Sequence, residues 1–191
     1  MRELVYFVAP SLDGRIASPD GDISAFPHSG DHIDWLAREW PDTLPKVVLD
    51  GLGIRATASR FDTALMGWNT YASALAQGVD NPYPHLRQYV FSRSAREVPA
   101  GVTLVREDPL GVVRELKAER GGTPIWLCGG GSLAGALLPE IDRMVLKINP
   151  IVLGDGVPLV RGGYDPGDFV FLGSQSFDSG VVVCEYARPQ A

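Results

Sequence analysis

A chain of 191 residues, 45% hydrophobic and 21% charged, has the make-up of one globular domain with room for a sizeable core. Its 17 basic residues against 23 acidic ones give a formal charge of −6, and the basic residues are scattered, which argues against nucleic acid or an anionic membrane as a partner. Two separate cysteines, Cys128 and Cys184, lack CxxC spacing and the three histidines form no ligand cluster, so neither a metal site nor a disulfide framework is expected.

In chain order, the N-terminus runs directly into an apolar stretch at 4–8 with no basic leader and no long apolar segment, which makes the cytoplasm the default location. Further strand-like runs rich in Val, Ile, Leu and Phe come at 64–66, 88–91, 102–105, 125–127, 143–148, 170–172 and 181–186. Helical periodicity fills 31–40, 69–76, 109–120 and 132–138 between them. That alternation predicts an α/β domain with a mainly parallel sheet. The last two runs flank Phe177-Asp178-Ser179-Gly180, a hairpin turn, so the sheet is expected to end antiparallel and be mixed overall. The stretches 18–30 and 76–84 carry turn residues and no periodicity, as edges or lids of active sites do. There is no internal repeat and no low-complexity linker.

Leu127-Cys128-Gly129-Gly130-Gly131-Ser132-Leu133 is the strongest chemical signal. A strand that ends in glycines and reopens as a helix offers bare backbone N–H groups at a positive helix terminus, where a phosphate or pyrophosphate can approach. Three further motifs precede it. Ser11-Leu12-Asp13-Gly14-Arg15-Ile16-Ala17 comes after the first strand, and Asp13-Gly14 is a turn pair among the apolar or small residues Ala9, Leu12, Ile16 and Ala17. Gly67-Trp68-Asn69-Thr70 opens the second helix, with Asn69 or Thr70 able to cap it and Gly67 permitting close backbone approach. Ser92-Arg93-Ser94 comes after the third strand and offers a guanidinium fork flanked by hydroxyls. Taken singly, these also read as an ordinary turn, an ordinary cap and a solvated arginine.

In order and local sequence the motifs resemble the dihydrofolate reductase-like superfamily, most closely the branch containing the C-terminal reductase domain of bacterial riboflavin biosynthesis, and the likeness spans nearly the whole chain. The resemblance implies a three-layer α/β/α fold and NADPH as cofactor. It also implies that the Ala9 backbone and Ile16 meet the nicotinamide, and that Gly67 to Thr70 and the loop 128–133 (Cys128, Gly129, Gly130, Gly131, Ser132 and Leu133) cradle the phosphates. By the same resemblance, Ser92, Arg93 and Ser94 read the adenosine 2′-phosphate, and a cis peptide joins the first two glycines of the loop. Ile151-Val152-Leu153-Gly154-Asp155-Gly156-Val157-Pro158-Leu159 is similar to the family's segment after its late strand. The chain departs from the pattern at Trp68, where the family often has an arginine, and at Cys128, where the riboflavin branch has a glutamate. HxE and PCxxC deaminase motifs are absent from the sequence as well, which points to a different substrate.

Folate reductases place a buried carboxylate on the helix after the first loop. Here that region holds Asp31, Asp34 and Glu39. Asp34 beside Trp35 is the best match for a proton donor, since an acid against an aromatic wall has its pKa raised by desolvation. Asp31 as an N-cap and Asp34 as a first-turn acid are equally accounted for by the helix dipole. Asp13 is a second catalytic candidate, on the loop that the resemblance places at substrate and nicotinamide, and His28 and His32 are nearby alternatives. The residues support two readings of function. One is an NADPH-dependent reductase delivering hydride to a small planar heterocycle (pterin- or pyrimidine-like) or to a carbonyl or imine. The other is a module that binds NADP(H) or another nucleotide without turnover. No GxGxxG comes after the first strand, which sets an ordinary Rossmann dehydrogenase aside. Apolar strands near the C-terminus suit a homodimer.

Overall fold

The β-branched and aromatic runs become strands because each places one row of side chains under helices. In the computed structural model, which describes residues 1–94 and 96–189, they are β1 (Leu4–Val8), β3 (Thr63–Gly67), β4 (Arg87–Phe91), β5 (Val102–Val105), β6 (Ile125–Gly129), β7 (Arg143–Ile148), β9 (Val170–Ser176) and β10 (Val182–Ala187). They form one eight-stranded sheet in the order β5-β4-β3-β6-β1-β7-β10-β9. β1 lies at its centre, parallel to β6 with Leu4 opposite Ile125 and parallel to β7 with Val5 opposite Arg143. β10 runs antiparallel to both β7 and β9, so the sheet is mixed and mainly parallel, with the expected C-terminal hairpin.

Strand alternation sorts the core into two layers. Leu4, Tyr6, Leu65, Ile125 and Leu127 face α4 (Pro109–Ala118) and α5 (Gly131–Ala136), meeting Val113, Leu116, Leu133 and Leu137. Val5, Phe7, Ala64, Trp126 and Val145 face α1 (Asp31–Glu39) and α2 (Lys46–Leu52), meeting Leu36 and Leu49. Met66, Val90 and Val102 pack against Tyr71 of α3 (Trp68–Ala76). The result is the dihydrofolate reductase-like α/β/α sandwich that the resemblance implied.

Three elements were not foreseen, each with a physical reason. Helix α2 contains Val47, Val48 and Gly51, poor helix formers, and buries only Leu49, so its pattern is weak; it stops at Gly53, in the left-handed region at φ 65°. The short strands β2 (Arg15–Ala17) and β8 (Val157–Pro158) exist only because they pair with each other, antiparallel. The helix expected at 132–138 ends at Ala136 and continues as a 3-10 turn at Leu138–Glu140, because Pro139 cannot donate to the ladder. Conversely, β9 runs on past 172 to Ser176, carried by its ladder with β10.

The irregular segment after α2 is organised by one side chain. Asp42, on the 3-10 turn Pro41–Thr43 and 0% exposed, accepts hydrogen bonds from the backbone N–H groups of Ala58 (2.9 Å), Arg60 (2.7 Å) and Phe61 (3.2 Å). The N-terminal edge of the sheet is tied by buried Arg2, which bridges Asp62 and Glu119. The C-terminal edge is left for chemistry.

Candidate active site

In parallel α/β sheets, ligand sites form beyond the carboxyl ends of the strands. Here β1, β3, β6 and β7 end together; β1 and β7 lead into loops, β3 runs directly into α3 after Gly67, and β6 reaches α5 through the glycine turn. β6 ends at Gly129, whose φ of 144° suits glycine alone, and the Gly129–Gly130 peptide is cis, as the family resemblance implied. A Cβ built on Gly67 would lie 3.5 Å from the Gly130 nitrogen; one built on Gly130 would lie 3.2 Å from Thr70 Oγ1 and 4.0 Å from Ile16 Cδ1. The ends of β3 and β6 therefore present bare backbone to one another, flanked by Thr70 and Ile16. Such a surface fits a pyrophosphate, because N–H groups can approach it without side chains between.

Gly131 has a different task. A Cβ there would sit 2.1 Å from the carbonyl oxygen of Pro158. Its own carbonyl accepts from Arg161 N–H at 2.9 Å, while Leu159 N–H donates to Gly14 at 2.9 Å and Tyr6 OH donates to the Leu159 carbonyl at 2.7 Å. The segment 157–161 is thus a strap holding the first loop and the glycine turn in register. Leu133 is buried in the core behind that turn, whereas Ser132 is exposed.

Asp13 closes the first loop onto the late one. Its carboxylate accepts from Ser11 Oγ (2.6 Å), Leu153 N–H (3.1 Å) and Gly154 N–H (2.8 Å). The Ser11 hydroxyl first, and then the Leu153 and Gly154 amides, hold the carboxyl down at about 2. Near neutrality Asp13 is a charged clamp and has no proton to give.

The desolvated setting expected of Asp34 is absent, since the residue is exposed. Neighbours on a helix diverge by about 100°, so with Trp35 packed against the sheet Asp34 turns to solvent. Asp31 is not the N-cap either; Gly30 holds that position, with no side-chain cap. Asp31 accepts from the Asp178 (2.7 Å) and Ser179 (3.1 Å) N–H groups, pinning α1 to the β9–β10 turn. Desolvation pushes its carboxyl up, and these donors together outweigh it, leaving it below its usual range. The side chain that α1 turns inward is His32, 0% exposed, with Nδ1 2.9 Å from Ser179 Oγ. Burial, and then the nearby Lys147 charge, depress its pKa. Lys147 is the polar residue that motif reasoning passed over. The available signal was parity, because it shares the sheet face of Val145. Burial lowers its ammonium pKa to about 8.

At the end of β3, Gly67 is the N-cap of α3, again without a side-chain cap, so neither Asn69 nor Thr70 caps the helix as expected. Asn69 is exposed and Thr70 borders the glycine turn. Arg93 and Ser94 are exposed, and Ser92 Oγ donates to the Ser94 carbonyl at 3.2 Å. Trp68, in the arginine position of the family pattern, carries the guanidinium of Arg96 over its ring. Cys128 packs beside Tyr83, and burial pushes its thiol up to about 12. Its side chain belongs to the core under α1, and its backbone leads into the glycine turn.

A mixed sheet of this order with a bare glycine turn at the end of β6 defines a dihydrofolate reductase-like domain. The chain matches the RibD C-terminal domain family over residues 2–183 and belongs to that family. Among relatives, it is 30% identical over 164 residues to the uncharacterized protein YwjB of Bacillus subtilis (strain 168), covering 83% of this chain and 82% of that protein. Among solved structures, it resembles a putative riboflavin biosynthesis protein from Shewanella sp. PV-4, with 28% identity, full coverage of both chains and a TM-score of 0.74. The fold also matches dihydrofolate reductase from Enterococcus faecalis, solved with NADP(H), at 13% identity, covering 98% of this chain and 97% of that one, with a TM-score of 0.67.

Proposed function

We propose that the protein is a cytoplasmic NADPH-dependent reductase that transfers hydride to a small planar heterocycle, or to a carbonyl or imine carbon. The observation that carries this reading is the backbone cradle of Gly67, Gly129 and Gly130 with Thr70 and Ile16 beside it. Family membership and the likeness to an NADP(H)-bound fold relative support it.

The cofactor would supply the hydride. The chain's part is to bind, orient and exclude water. Gly67 and the turn 129–131 would take the pyrophosphate, and Ala9 and Ile16, at the end of β1 and on β2, would form the wall for the nicotinamide. Arg93, with Ser92 and Ser94, would favour a 2′-phosphate by a charge-assisted fork. Asp13 keeps the first loop closed on the 153–154 turn. We place a homodimer contact at β9, an edge strand whose Val170, Phe171 and Leu172 are each more than half exposed, as an unpaired edge with apolar side chains invites pairing.

Titrating the purified protein with NADPH and then NADH, monitored by quenching of its four tryptophans, tests the cofactor. Micromolar binding that favours NADPH supports the reading; binding of neither cofactor removes it. Binding without oxidation of NADPH across a panel of heterocyclic, carbonyl and imine substrates leaves a nucleotide-binding module instead.

A further inference from the structure

A buried ammonium normally has a carboxylate beside it. Lys117, 5% exposed, obeys that rule, with Asp142 at 2.8 Å and Glu140 at 3.5 Å. Lys147, 9% exposed, does not: among the described residues no carboxylate lies within 4.0 Å of it. The charged and titratable groups on the elements around it are already engaged or share its sign. On its own strand and face, Arg143 is bonded to Glu185 of β10 at 2.6 Å. From α1, Asp31 is taken by the Asp178 and Ser179 amides, and His32 offers a basic ring whose Nε2 has no hydrogen-bond partner. Burying most of a lysine side chain without a carboxylate beside its ammonium is unfavourable, so a chain that keeps one at a strand end has a use for it.

Its position says what use. Lys147 lies next to the C-terminal end of β7, and because Val8 pairs with Leu146, the next residue after β1, Ala9, adjoins it on the same sheet face. On its other side Lys147 pairs with Val183, which with Glu185 of β10 lines a groove of about 280 Å³ between Trp35 of α1 and Ser174 and Gln175 of β9. Lys147 thus lies on the sheet between the end of β1, where the reductase reading puts the nicotinamide, and β10, which borders an open groove.

Resting on that reading, we propose that Lys147 is the specificity-determining residue of the substrate site, and that it selects an anionic substrate by pairing with a carboxylate or enolate oxygen. A site floored by a carboxylate favours a basic, amino-substituted ring that can be protonated. The ammonium of Lys147, with Glu185 at the adjoining groove already bonded to Arg143, repels such a ring and attracts the opposite charge. Lys147 is held here as a fixed hydrogen-bond donor to substrate, and the buried neutral face of His32 beside it adds no competing anion.

The test uses the full chain saturated with NADP+, so that no turnover occurs, titrated calorimetrically with orotate as the anionic probe and 2,4-diaminopyrimidine as the basic one. Orotate is expected to bind at least ~10-fold more tightly, about 1.4 kcal/mol. Lys147→Met should abolish that preference and Lys147→Arg retain part of it, both with NADP+ affinity unchanged. Orotate binding no tighter than diaminopyrimidine, or a preference that survives in Lys147→Met, overturns the proposal. Should Lys147→Met fail to fold, acetylation of the native protein by acetic anhydride, read by mass spectrometry, decides: orotate must protect Lys147, and no protection overturns it. If the native protein does not bind NADP+, the reductase reading fails, and the same orotate comparison on the free protein decides the role of Lys147 by the same criterion.

Discussion

The guanidinium carbon of Arg96 lies 4.7 Å from the centroid of the Trp68 ring. Trp68 opens α3 directly after Gly67, and the ring also meets Tyr71 edge-on at 5.7 Å between centroids. The arginine that the family pattern puts at 68 is therefore replaced by an aromatic platform that recruits a guanidinium from farther along the chain. Arg93→Ala is expected to weaken NADPH more than NADH by ~1–3 kcal/mol, the size of a charge-assisted pair. Arg96→Ala and Trp68→Ala should weaken both cofactors and lower the NADPH preference. Equal loss for NADPH and NADH in Arg93→Ala would remove that residue from the 2′-phosphate.

Gly131→Ala should destabilise the fold by about 1–3 kcal/mol, as overpacking against backbone does. The new methyl would meet the Pro158 carbonyl at 2.1 Å, and only a shift of the strap 157–161 relieves it. Urea unfolding measures the loss. A wild-type midpoint would mean that the strap moves freely.

Asp42→Ala leaves three backbone N–H groups of 58–61 without their acceptor. The expected cost is about 3 kcal/mol or more, since each lost acceptor strands a donor that is partly or fully buried. Thermal unfolding reads the total, and amide exchange at Ala58, Arg60 and Phe61 should accelerate beyond that of the sheet.

The Asp13 clamp carries a pH signature. Its carboxyl falls from the usual 3.8 to about 2 in the folded chain, so the charged form is the one that folding favours. Its contribution is complete above about pH 4 and fades as pH falls through about 2. Asp13→Asn should therefore be less stable than the native chain at neutral pH, with the gap narrowing over that window. A gap that does not change with pH would sink the assignment.

Asp34→Asn should leave turnover unchanged and stability within about 0.5 kcal/mol, because the exposed side chain has solvent as its partner in both states. A large drop in kcat with NADPH affinity intact would restore Asp34 as the proton donor.

Cys128 should resist iodoacetamide at pH 8 in the native state and react once the chain is unfolded, since burial raises its thiol to about 12 and removes the thiolate. Peptide mapping by mass spectrometry distinguishes it from Cys184.

The features readable in the sequence were those that near neighbours determine. Strand runs such as 4–8 and 143–148, the order of strands and helices, the 177–180 turn and the glycine loop at 129–131 depend on side-chain period and on glycine's conformational range, and both are local properties. Helix α1 was legible as a helix for the same reason. Which of its faces meets the sheet was settled by packing: Trp35 and Leu36 fit against Phe7, Trp40 and Val183, which carries His32 inward and leaves Asp34 in water. The strap of β2 and β8 and the Asp13 clamp join residues about 140 positions apart, and the unpartnered state of Lys147 depends on what every surrounding element lacks. Hydrogen bonds and burial of that kind exist only once the chain has closed on itself, so the tertiary structure alone decided which polar groups line the site and which merely hold it together.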